Sequence, residues 1–423
     1  MTRMLSCRLK RQTAMALTIL ALAASGAGGR AAATELELPT YQLQEGFGVW
    51  WQAAAEEFAK ENPGDTIKLI GVPYAQHHDQ LTTRFVAGNP PDIAHISARF
   101  FFGYADQGFL EPLDDRLAAI GWKEEDFIGA QKQMRRDGKV YGQLLLGYGW
   151  GLFYNADYLQ KAGIAVPKTA DELLQAAHAL TVDSDGDGRI DQYGMAVATS
   201  QGSETYMYLT YFLAGLGHGW VENGELVAPE HLRAALALVD DLVTSKATPV
   251  GLNSSAMRQL FWQGKAAMYI DGSWAPAYKK DSPPEVKAAY RVAPLPVPDE
   301  AGGPSNVLAI PAALPEDRKA LAFKFIELIQ RPEWQQRYAE MSGNPPARLG
   351  SLTDKARQDW PEIPVFEASM SRAGQSYLPV GYEGDFAKWS NIVAEGVTGM
   401  VSGALTLDEA TAQIHDELSR EFF

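Results

Sequence analysis

Residues 147–151 combine aromatic side chains and glycines in a pattern that suits the stacking of a ligand. Tyr148 and Trp150 offer flat faces on which such a ligand can lie. Glycines precede, separate and follow them, and these give a backbone freedom that the interior of a strand normally avoids. The pattern indicates a hinge beside a ligand cleft. A core strand with packing glycines is the alternative interpretation.

Two later tryptophans are further candidates for stacking on a ligand. Trp274 follows the turn Asp271-Gly272 at the end of a predicted strand, residues 266–271. Strand ends carry the loops in which the ligand sites of α/β proteins form. Trp389 begins a predicted C-terminal helix. For each tryptophan the alternative is packing in a hydrophobic core.

An aspartate-rich loop has the spacing of a calcium-binding loop. Its acids occupy positions 1, 3, 5 and 9, and Gly188 stands at the turn that such loops require. The twelfth position is Gly194 rather than a glutamate, and a strand is predicted where the calcium-binding motif has a helix. Either a structural calcium ion or a solvated acidic turn explains the pattern. The candidate ligands, called the acidic loop below, are the side chains of Asp183, Asp185, Asp187 and Asp191 and the carbonyl of Arg189.

Two adjacent histidines, His77 and His78, precede Asp79. Imidazole and carboxylate groups bind zinc, but protein zinc sites need three or four ligands. No matching third ligand lies nearby in the sequence. We therefore predict that both histidines lie on the surface of a helix.

Helices and strands alternate along the chain, as an α/β fold requires. A helix predicted at 50–61 ends at an Asn-Pro-Gly turn before a strand at 66–71. Thr169 and Glu172 have the spacing of a capping box at the start of another helix. The remaining predicted elements are strands at 93–97, 193–198 and 266–271 and helices at 169–180, 253–263, 314–331, 389–401 and 407–422.

The N-terminal segment 1–33 has the pattern of a secretory signal peptide. Basic residues precede an apolar run at 14–24, and alanines at 31–33 supply a small-x-small cleavage site. The run is too short to anchor the chain in a bilayer. Cys7, the only cysteine, precedes the run, whereas a lipid-attachment cysteine would follow it. We predict a soluble periplasmic protein, not a lipoprotein, whose mature chain contains no disulfide.

The charge balance narrows the class of partner. The chain has 37 Lys and Arg against 52 Asp and Glu, and the predicted signal peptide contains five of the basic residues and none of the acids. The mature chain, with 32 basic residues, therefore has a net charge of −20. This charge disfavours nucleic acid and anionic membranes as partners. About 390 mature residues indicate two domains of roughly 100–200 residues each.

Four motifs occur in order along nearly the whole mature chain: NPPDI followed by GYADQGFLEPLDD (89–115), GLFYN followed by KAGIAVPKTADEL (151–173), FWQGKAAMYIDGSW (261–274) and SGALTLDEA (402–410). With these motifs the sequence resembles the carbohydrate-type extracellular solute-binding proteins of ABC importers, in the maltose- and trehalose-binding class. The resemblance implies an α/β fold of two lobes, each discontinuous in sequence, joined by hinge crossovers. The implied N-terminal lobe is 34–147 plus 308–375 and the C-terminal lobe is 148–307 plus 376–423, with crossings near 146–149, 306–309 and 371–382.

The resemblance also implies which residues face the ligand. The family's equivalent of Trp274 stacks on sugar, and Tyr148 matches a cleft-facing aromatic position better than Trp150 does. Arg99 stands where the maltose-type pattern has an acidic residue, so it could hold a pair of sugar hydroxyls, an acidic sugar or only a nearby carboxylate. Two further candidates follow strands: Glu45 lies in the loop after a first strand predicted at 41–43, and Ser97 lies at the end of the strand predicted at 93–97. Asn344 and Arg348 lie in the turn SGNPPAR. The remaining candidates are Trp389 and the nearby acids Glu383 and Asp385.

These features predict a protein that captures a saccharide in an interlobe cleft and delivers it to the membrane permease of an ABC importer. We expect a monomer that needs no cofactor and catalyses no reaction. A secreted carbohydrate-active enzyme, such as a glycoside hydrolase, is the rival class, because aromatic platforms and carboxylates would serve it equally well. The sequence contains no GxSxG, HExxH or SxxK motif. A binding protein that serves chemotaxis shares every feature above.

Overall fold

The computed structural model describes residues 33–43, 47–147, 149–298 and 300–423. Two of the predicted ligand residues, Glu45 and Tyr148, and residues 1–32 of the predicted signal peptide lie outside the described residues. Within the described residues, no helix combines the length and the apolar character that crossing a membrane requires.

Helices and strands alternate along the chain. The helices are α1 (Gly48–Glu61), α2 (Tyr74–Val86), α3 (Ala98–Asp106), α4 (Asp114–Ala119), α5 (Ala156–Ala162), α6 (Ala170–Ala179), α7 (Ser203–Gly215), α8 (Pro229–Thr244), α9 (Ser254–Trp262), α10 (Pro284–Ala289), α11 (Glu316–Gln330), α12 (Pro332–Ser342), α13 (Asp354–Asp359), α14 (Ile363–Arg372), α15 (Phe386–Val401) and α16 (Leu407–Phe422). The strands are β1 (Glu35–Thr40), β2 (Thr66–Gly71), β3 (Ala94–Ser97), β4 (Arg135–Arg136), β5 (Lys139–Val140), β6 (Gln143–Leu144), β7 (Trp150–Asn155), β8 (Tyr193–Ala196), β9 (Val221–Glu222), β10 (Glu225–Leu226), β11 (Ala266–Gly272), β12 (Tyr290–Ala293), β13 (Glu300–Gly302), β14 (Asn306–Ala309) and β15 (Ala373–Ser376).

Most of the predicted elements are confirmed to within a few residues. The first strand is an exception, because β1 covers 35–40 and residues 41–43 form the turn that follows it. At the start of α6, Thr169 Oγ1 accepts the N–H of Glu172 at 3.2 Å, as the capping pattern predicts. The Glu172 carboxylate accepts the N–H of Lys168 (2.7 Å), one residue before the position expected in a capping box.

The first sheet is built from strands distant in sequence. β14 lies between β3 and β6 and is antiparallel to both. β1 and β2 pair in parallel, and the Ile93 N–H donates to the Glu37 carbonyl at 3.2 Å, which joins β1 to the segment leading into β3. The residue that follows β1, the residue that ends β3 and the residue that begins β14 are thereby brought together, since Tyr41, Ser97 and Asn306 line the same cavity.

The second sheet has the order β12-β7-β11-β8. Every residue of β11 is buried, as expected for a strand covered on both faces. β11 pairs antiparallel with β7, with Gly272 opposite Trp150, and parallel with β8. The two sheets and their helices form the two lobes of the α/β fold.

The chain passes from the first sheet to the second through the glycine-rich segment 147–151. None of its glycines has a positive φ. A Cβ on Gly149 would collide with the backbone of Phe366 in α14, and one on Gly151 with the side chain of Val292. Close packing, rather than backbone freedom, is therefore what requires glycine here. The lobe boundaries within 34–423 remain predictions.

Two large hydrophobic clusters stabilise the fold. One surrounds Trp50 and Trp51 of α1 and includes Phe325 of α11. The other extends through the second sheet and its helices, where it includes Phe153 and Tyr208, and continues to Ile96 of β3 and Val307 of β14. Trp274 is a partly buried residue that packs against both clusters.

Candidate functional site

A cavity lies where loops from the two sheets meet, with about 440 Å³ of free space including the part open to solvent. A second cavity, of about 950 Å³ including the part open to solvent, shares Tyr74 and Glu204 with it, so the two cavities adjoin each other. The first cavity, called the cleft cavity below, is lined by Tyr41, Tyr74, Ser97, Arg99, Glu204, Arg258, Trp274, Pro304, Ser305, Asn306 and Tyr377.

Trp274 provides the aromatic surface of the cleft cavity. Its six-membered ring lies against Gly272, where any Cβ would overlap it. The indole meets that of Trp150 edge to face, with ring centroids 5.3 Å apart and an interplanar angle of 88°. Trp274 is half-buried and packs against both hydrophobic clusters. The ring is thus held in one orientation at the junction of the lobes, which is the requirement for a stacking platform.

Arg99 spans the cleft cavity and pairs with Glu204, which follows a strand of the other sheet. Arg99 Nη1 lies 3.0 Å from Glu204 Oε1 and 3.3 Å from the Ser203 hydroxyl. The two charged side chains are only 4% and 11% exposed. The pair therefore connects the start of α3 to the first turn of α7, and it satisfies a charge that would be costly to bury alone.

A second buried ion pair lies beside Trp274. Arg258 of α9 donates two hydrogen bonds to the Asp271 carboxylate, at 2.6 and 3.0 Å, and the Gly272 N–H donates to the same carboxylate at 2.9 Å. Burial raises the pKa of Asp271, whereas the Arg258 guanidinium lowers it. This pair lies within the second lobe and holds the turn that positions Trp274.

Three buried histidines, His77, His78 and His95, lie behind the cavity wall and are called the histidine cluster. Tyr41, which hydrogen bonds to Asn306, stacks on His95 with centroids 4.6 Å apart. The prediction that His77 and His78 lie on a helix surface is wrong, because α2 turns both rings toward β3. His77 Nε2 donates to the His95 carbonyl (2.7 Å), and His78 Nε2 accepts the N–H of Ser97 (3.0 Å).

Burial keeps the histidine cluster neutral. It lowers the pKa of His77 to about 4. It also lowers the pKa values of His78 and His95 well below the ordinary value, and the proximity of His77 to both rings and of Arg99 to His78 adds to the effect. The cluster therefore adds no net charge beside the cleft cavity at neutral pH.

The predicted ligand residues fall into separate groups in the structure. Trp274, Ser97 and Arg99 line the cleft cavity. Trp150 is 1% exposed and supports Trp274 from below. Asn344 is fully buried, and its Oδ1 accepts the hydroxyl of Ser273, the neighbour of Trp274.

Other predicted residues are placed away from the cavity lining. Trp389 is completely buried and packs on Phe422, with centroids 4.9 Å apart, so core packing accounts for it. Arg348 pairs with Asp126 at 2.9 Å. Glu383 and Asp385 belong to a short 3-10 turn, where Glu383 lies 4.0 Å from an Arg136 nitrogen.

Several lining residues escaped the sequence analysis. Glu204 carries a weak signal, since it lies in the first turn of α7, the end of a helix that favours acids. Arg258 occurs in the middle of a helix with no distinguishing neighbour, and its partner Asp271 is thirteen residues away. The others that were missed are Tyr41, Tyr74, Pro304, Ser305, Asn306 and Tyr377.

The acidic loop brings three carboxylates together at the protein surface. Oxygen atoms of Asp183, Asp185 and Asp191 lie within 4.8 Å of one another. Asp183 also accepts the N–H groups of Gly186 and Gly188, at 2.8 and 2.9 Å. These backbone bonds stabilise the turn by themselves. Calcium binding by the loop, Asp187 and Arg189 included, stays a prediction.

Known proteins with similar sequences are binding proteins. A putative binding protein from Brucella abortus (strain 2308) is 28% identical over 342 residues, which cover 77% of this chain and 78% of that protein. An arabinooligosaccharide-binding protein from Bacillus subtilis (strain 168) is 27% identical over 315 residues, covering 71% of this chain and 70% of that protein.

The fold is also shared with solved structures. An ABC transporter solute-binding protein from Agrobacterium radiobacter K84, in complex with ribitol, has a TM-score of 0.81 at 21% identity, covering 92% of this chain and 99% of that one. Residues 42–336, more than half of the chain, match the family described as bacterial extracellular solute-binding protein. The chain therefore belongs to the bacterial extracellular solute-binding protein family.

Proposed function

We propose that the protein captures a neutral saccharide or polyol in the cleft cavity and delivers it to the permease of an ABC importer. The observation that carries this proposal is the composition of the cavity wall. Trp274 supplies an aromatic surface, and Ser97, Asn306 and Arg258 add hydrogen-bonding groups from both lobes. Sugars combine apolar C–H faces with rings of hydroxyls, so they need this combination.

The balance of charge in the cleft cavity favours a neutral ligand. Arg99 is paired with Glu204, and Arg258 is paired with Asp271. An anionic ligand would have to compete with a buried carboxylate for either guanidinium, at the cost of leaving that carboxylate unpaired. A hydroxylated neutral ligand can instead accept and donate hydrogen bonds without separating the pairs.

Transport by closure of the lobes requires no cofactor. A ligand that contacts both lobes only in the closed form shifts the population toward that form. The family is an extracellular one, and we propose that this member is a monomer in the periplasm, exported by a cleaved signal peptide. A role in chemotaxis would use the same closed form.

Catalysis receives little support from the cavity wall. A glycoside hydrolase needs two carboxyl groups that face each other across the bond to be cleaved. Among the described lining residues, Glu204 is the single carboxylate, and it is paired with Arg99. We therefore propose a binding protein without hydrolytic activity.

A panel of neutral sugars, polyols and uronic acids, added to the purified protein, tests the proposal. A ligand that binds only the folded state raises the melting temperature. We expect a neutral sugar or polyol to raise it, calorimetry to give saturable binding of one ligand, and chromatography to recover the ligand unchanged. Release of a hydrolysis product would support the enzyme instead. A response confined to uronic acids would contradict the neutral-ligand proposal.

A further inference from the structure

Three side chains of the second lobe, His218, Glu222 and His231, bring potential metal-ligating atoms within 4.8 Å of one another. None of them lines the cleft cavity or the cavity that adjoins it. We propose that this trio, called the His–Glu–His cluster, binds a divalent transition-metal ion such as Zn²⁺. The proposal is independent of the ligand that the cleft takes.

The donor set matches the chemistry of zinc. Two imidazole nitrogens and one carboxylate oxygen form a three-ligand set that leaves a fourth position for water. Ligand atoms around tetrahedral zinc, with bonds of about 2.0–2.2 Å, lie roughly 3.4 Å apart. His218 Nδ1 and Glu222 Oε1 are already 3.0 Å apart. The two imidazole rings are nearly parallel, so at least one of them must turn about its side-chain bonds before both nitrogen lone pairs point at one ion.

His231 supplies an observation that the protein's own hydrogen bonds do not explain. Its Nδ1 is inaccessible to solvent and has no hydrogen-bond partner among the described residues. The ring stacks on that of His218 with centroids 3.5 Å apart and an interplanar angle of 13°. A buried polar atom without a partner is costly. Coordination of a metal ion would satisfy this nitrogen.

The surrounding backbone holds the three ligands on separate, well-anchored elements. His218 follows α7, Glu222 belongs to β9, and His231 lies in the first turn of α8. Asn223 and Gly224 both have positive φ, 54° and 84°, which is the geometry of a tight two-residue hairpin between β9 and β10. A metal ion would therefore tie together the end of α7, the strand β9 and the start of α8.

Hydrogen bonds and ring stacking fix the segment between His218 and Glu222. Trp220 donates its indole N–H to Thr210 Oγ1 (2.7 Å) and stacks on Tyr206 with centroids 5.2 Å apart. The Gly219 N–H donates to Glu222 Oε1 at 3.2 Å. These contacts orient the carboxylate before any metal arrives, which lowers the entropic cost of binding.

The experiment is titration of the tag-free, chelator-treated protein with ZnCl₂ by calorimetry, in the presence of excess Ca²⁺ to occupy the acidic loop. We expect one Zn²⁺ to bind and to raise the melting temperature. His218→Ala and His231→Ala should each weaken binding at least about tenfold, and Glu222→Gln should weaken it in the same direction. Co²⁺ in place of Zn²⁺ should give a visible absorption band that His231→Ala abolishes.

The matched control is His178→Ala. His178 forms a pair with Asp241 at 2.7 Å but belongs to no three-ligand cluster among the described residues. This variant should bind Zn²⁺ as the wild type does. The proposal is overturned if the wild type binds Zn²⁺ no more tightly than the His218→Ala variant. Glu222→Gln provides a test even if an alanine variant does not fold. Loss of binding only in Asp185→Ala with Asp187→Ala would move the ion to the acidic loop and also overturn the proposal.

Discussion

Removal of the Glu204 carboxylate should open the cleft and weaken ligand binding. In the structure, Arg99 is 4% exposed and pairs with Glu204 at 3.0 Å. Glu204→Ala removes the paired carboxylate from this buried guanidinium and keeps the Ser203 hydroxyl 3.3 Å from it. Loss of one partner of a buried pair costs about 3–5 kcal/mol. Arg99 can regain water when the lobes separate, so the cost falls on the closed conformer rather than on folding.

The expected loss of affinity follows from the free-energy penalty on the conformer in which Arg99 and Glu204 pair. A penalty of about 3 kcal/mol, at 1.4 kcal/mol for each factor of ten, weakens apparent affinity by on the order of 100-fold. Calorimetry with the ligand found in the panel measures this change. Small-angle scattering of Glu204→Ala without ligand should also show a less compact particle than the wild type. The melting temperature of the free protein should change little.

A double-mutant cycle with Arg99→Ala separates an interlobe pair from simple loss of ligand contacts. If the charges act on each other, the double variant should bind better than the sum of the two single losses predicts, with a coupling of at least about 1.5 kcal/mol. Additive losses would refute the reasoning. The control is Glu61→Ala, which removes a half-exposed surface pair with Arg331 (2.7 Å) and should leave affinity unchanged.

Three further predictions concern the platform, the acidic loop and the histidine cluster. Trp274→Ala should weaken sugar binding by about 2 kcal/mol or more while the protein remains folded, because a fixed, desolvated stacking surface is lost; calorimetry measures it. If the acidic loop binds calcium, chelator should lower the melting temperature and added calcium restore it, and Asp185→Ala with Asp187→Ala should abolish this response without changing sugar affinity. Lowering the pH should destabilise the protein through the histidine cluster, whose pKa values are depressed in the folded state. As the pH falls below 6.5, the histidines of the unfolded state are protonated first, whereas His77 of the folded state is protonated only near pH 4. In this range each neutral histidine should lower the free energy of unfolding by about 1.4 kcal/mol for every unit by which the pH falls. Denaturant titration at several pH values measures this slope.

Each of these three predictions has a result that would contradict it. Unchanged affinity in folded Trp274→Ala would return that tryptophan to the core. A melting curve that chelator does not move would leave the acidic loop as a solvated turn. His77→Gln should reduce the pH slope by the share of one histidine, and an unaltered slope would mean that His77 is not neutral in the folded protein.

Local elements could be predicted because their causes lie within a few residues. The helix α6 begins at Thr169 because its hydroxyl caps the Glu172 N–H, and both residues are visible in the sequence. β11 could be recognised from its continuous apolar run and the glycine turn after it. Trp274 was therefore correctly placed at a strand end, although its contact with both lobes was not evident.

Pairings between distant segments could not be read in the same way. Arg99 and Glu204 are separated by 105 positions, and Tyr41 and Asn306 by 265. The residues around one partner therefore give no indication of where the other partner lies in the sequence. Trp389 shows the same limit, since a tryptophan at the start of a helix can face a cleft or a core, and the packing of α16 against α15 buries it.

The order of the helices and strands, the acidic charge and the motifs of the family are all readable in the amino-acid sequence. These features depend on composition and on the spacing of residues close together in the chain, so they can be recognised without knowledge of the fold. Which charges neutralise each other in the cleft, and which histidines are buried, depends instead on contacts between segments that are distant in sequence. The Arg99–Glu204 pair forms where the start of α3 meets the first turn of α7, whereas the histidine cluster is buried by the packing of α2 on β3 within the first lobe, and both arrangements require the folded chain.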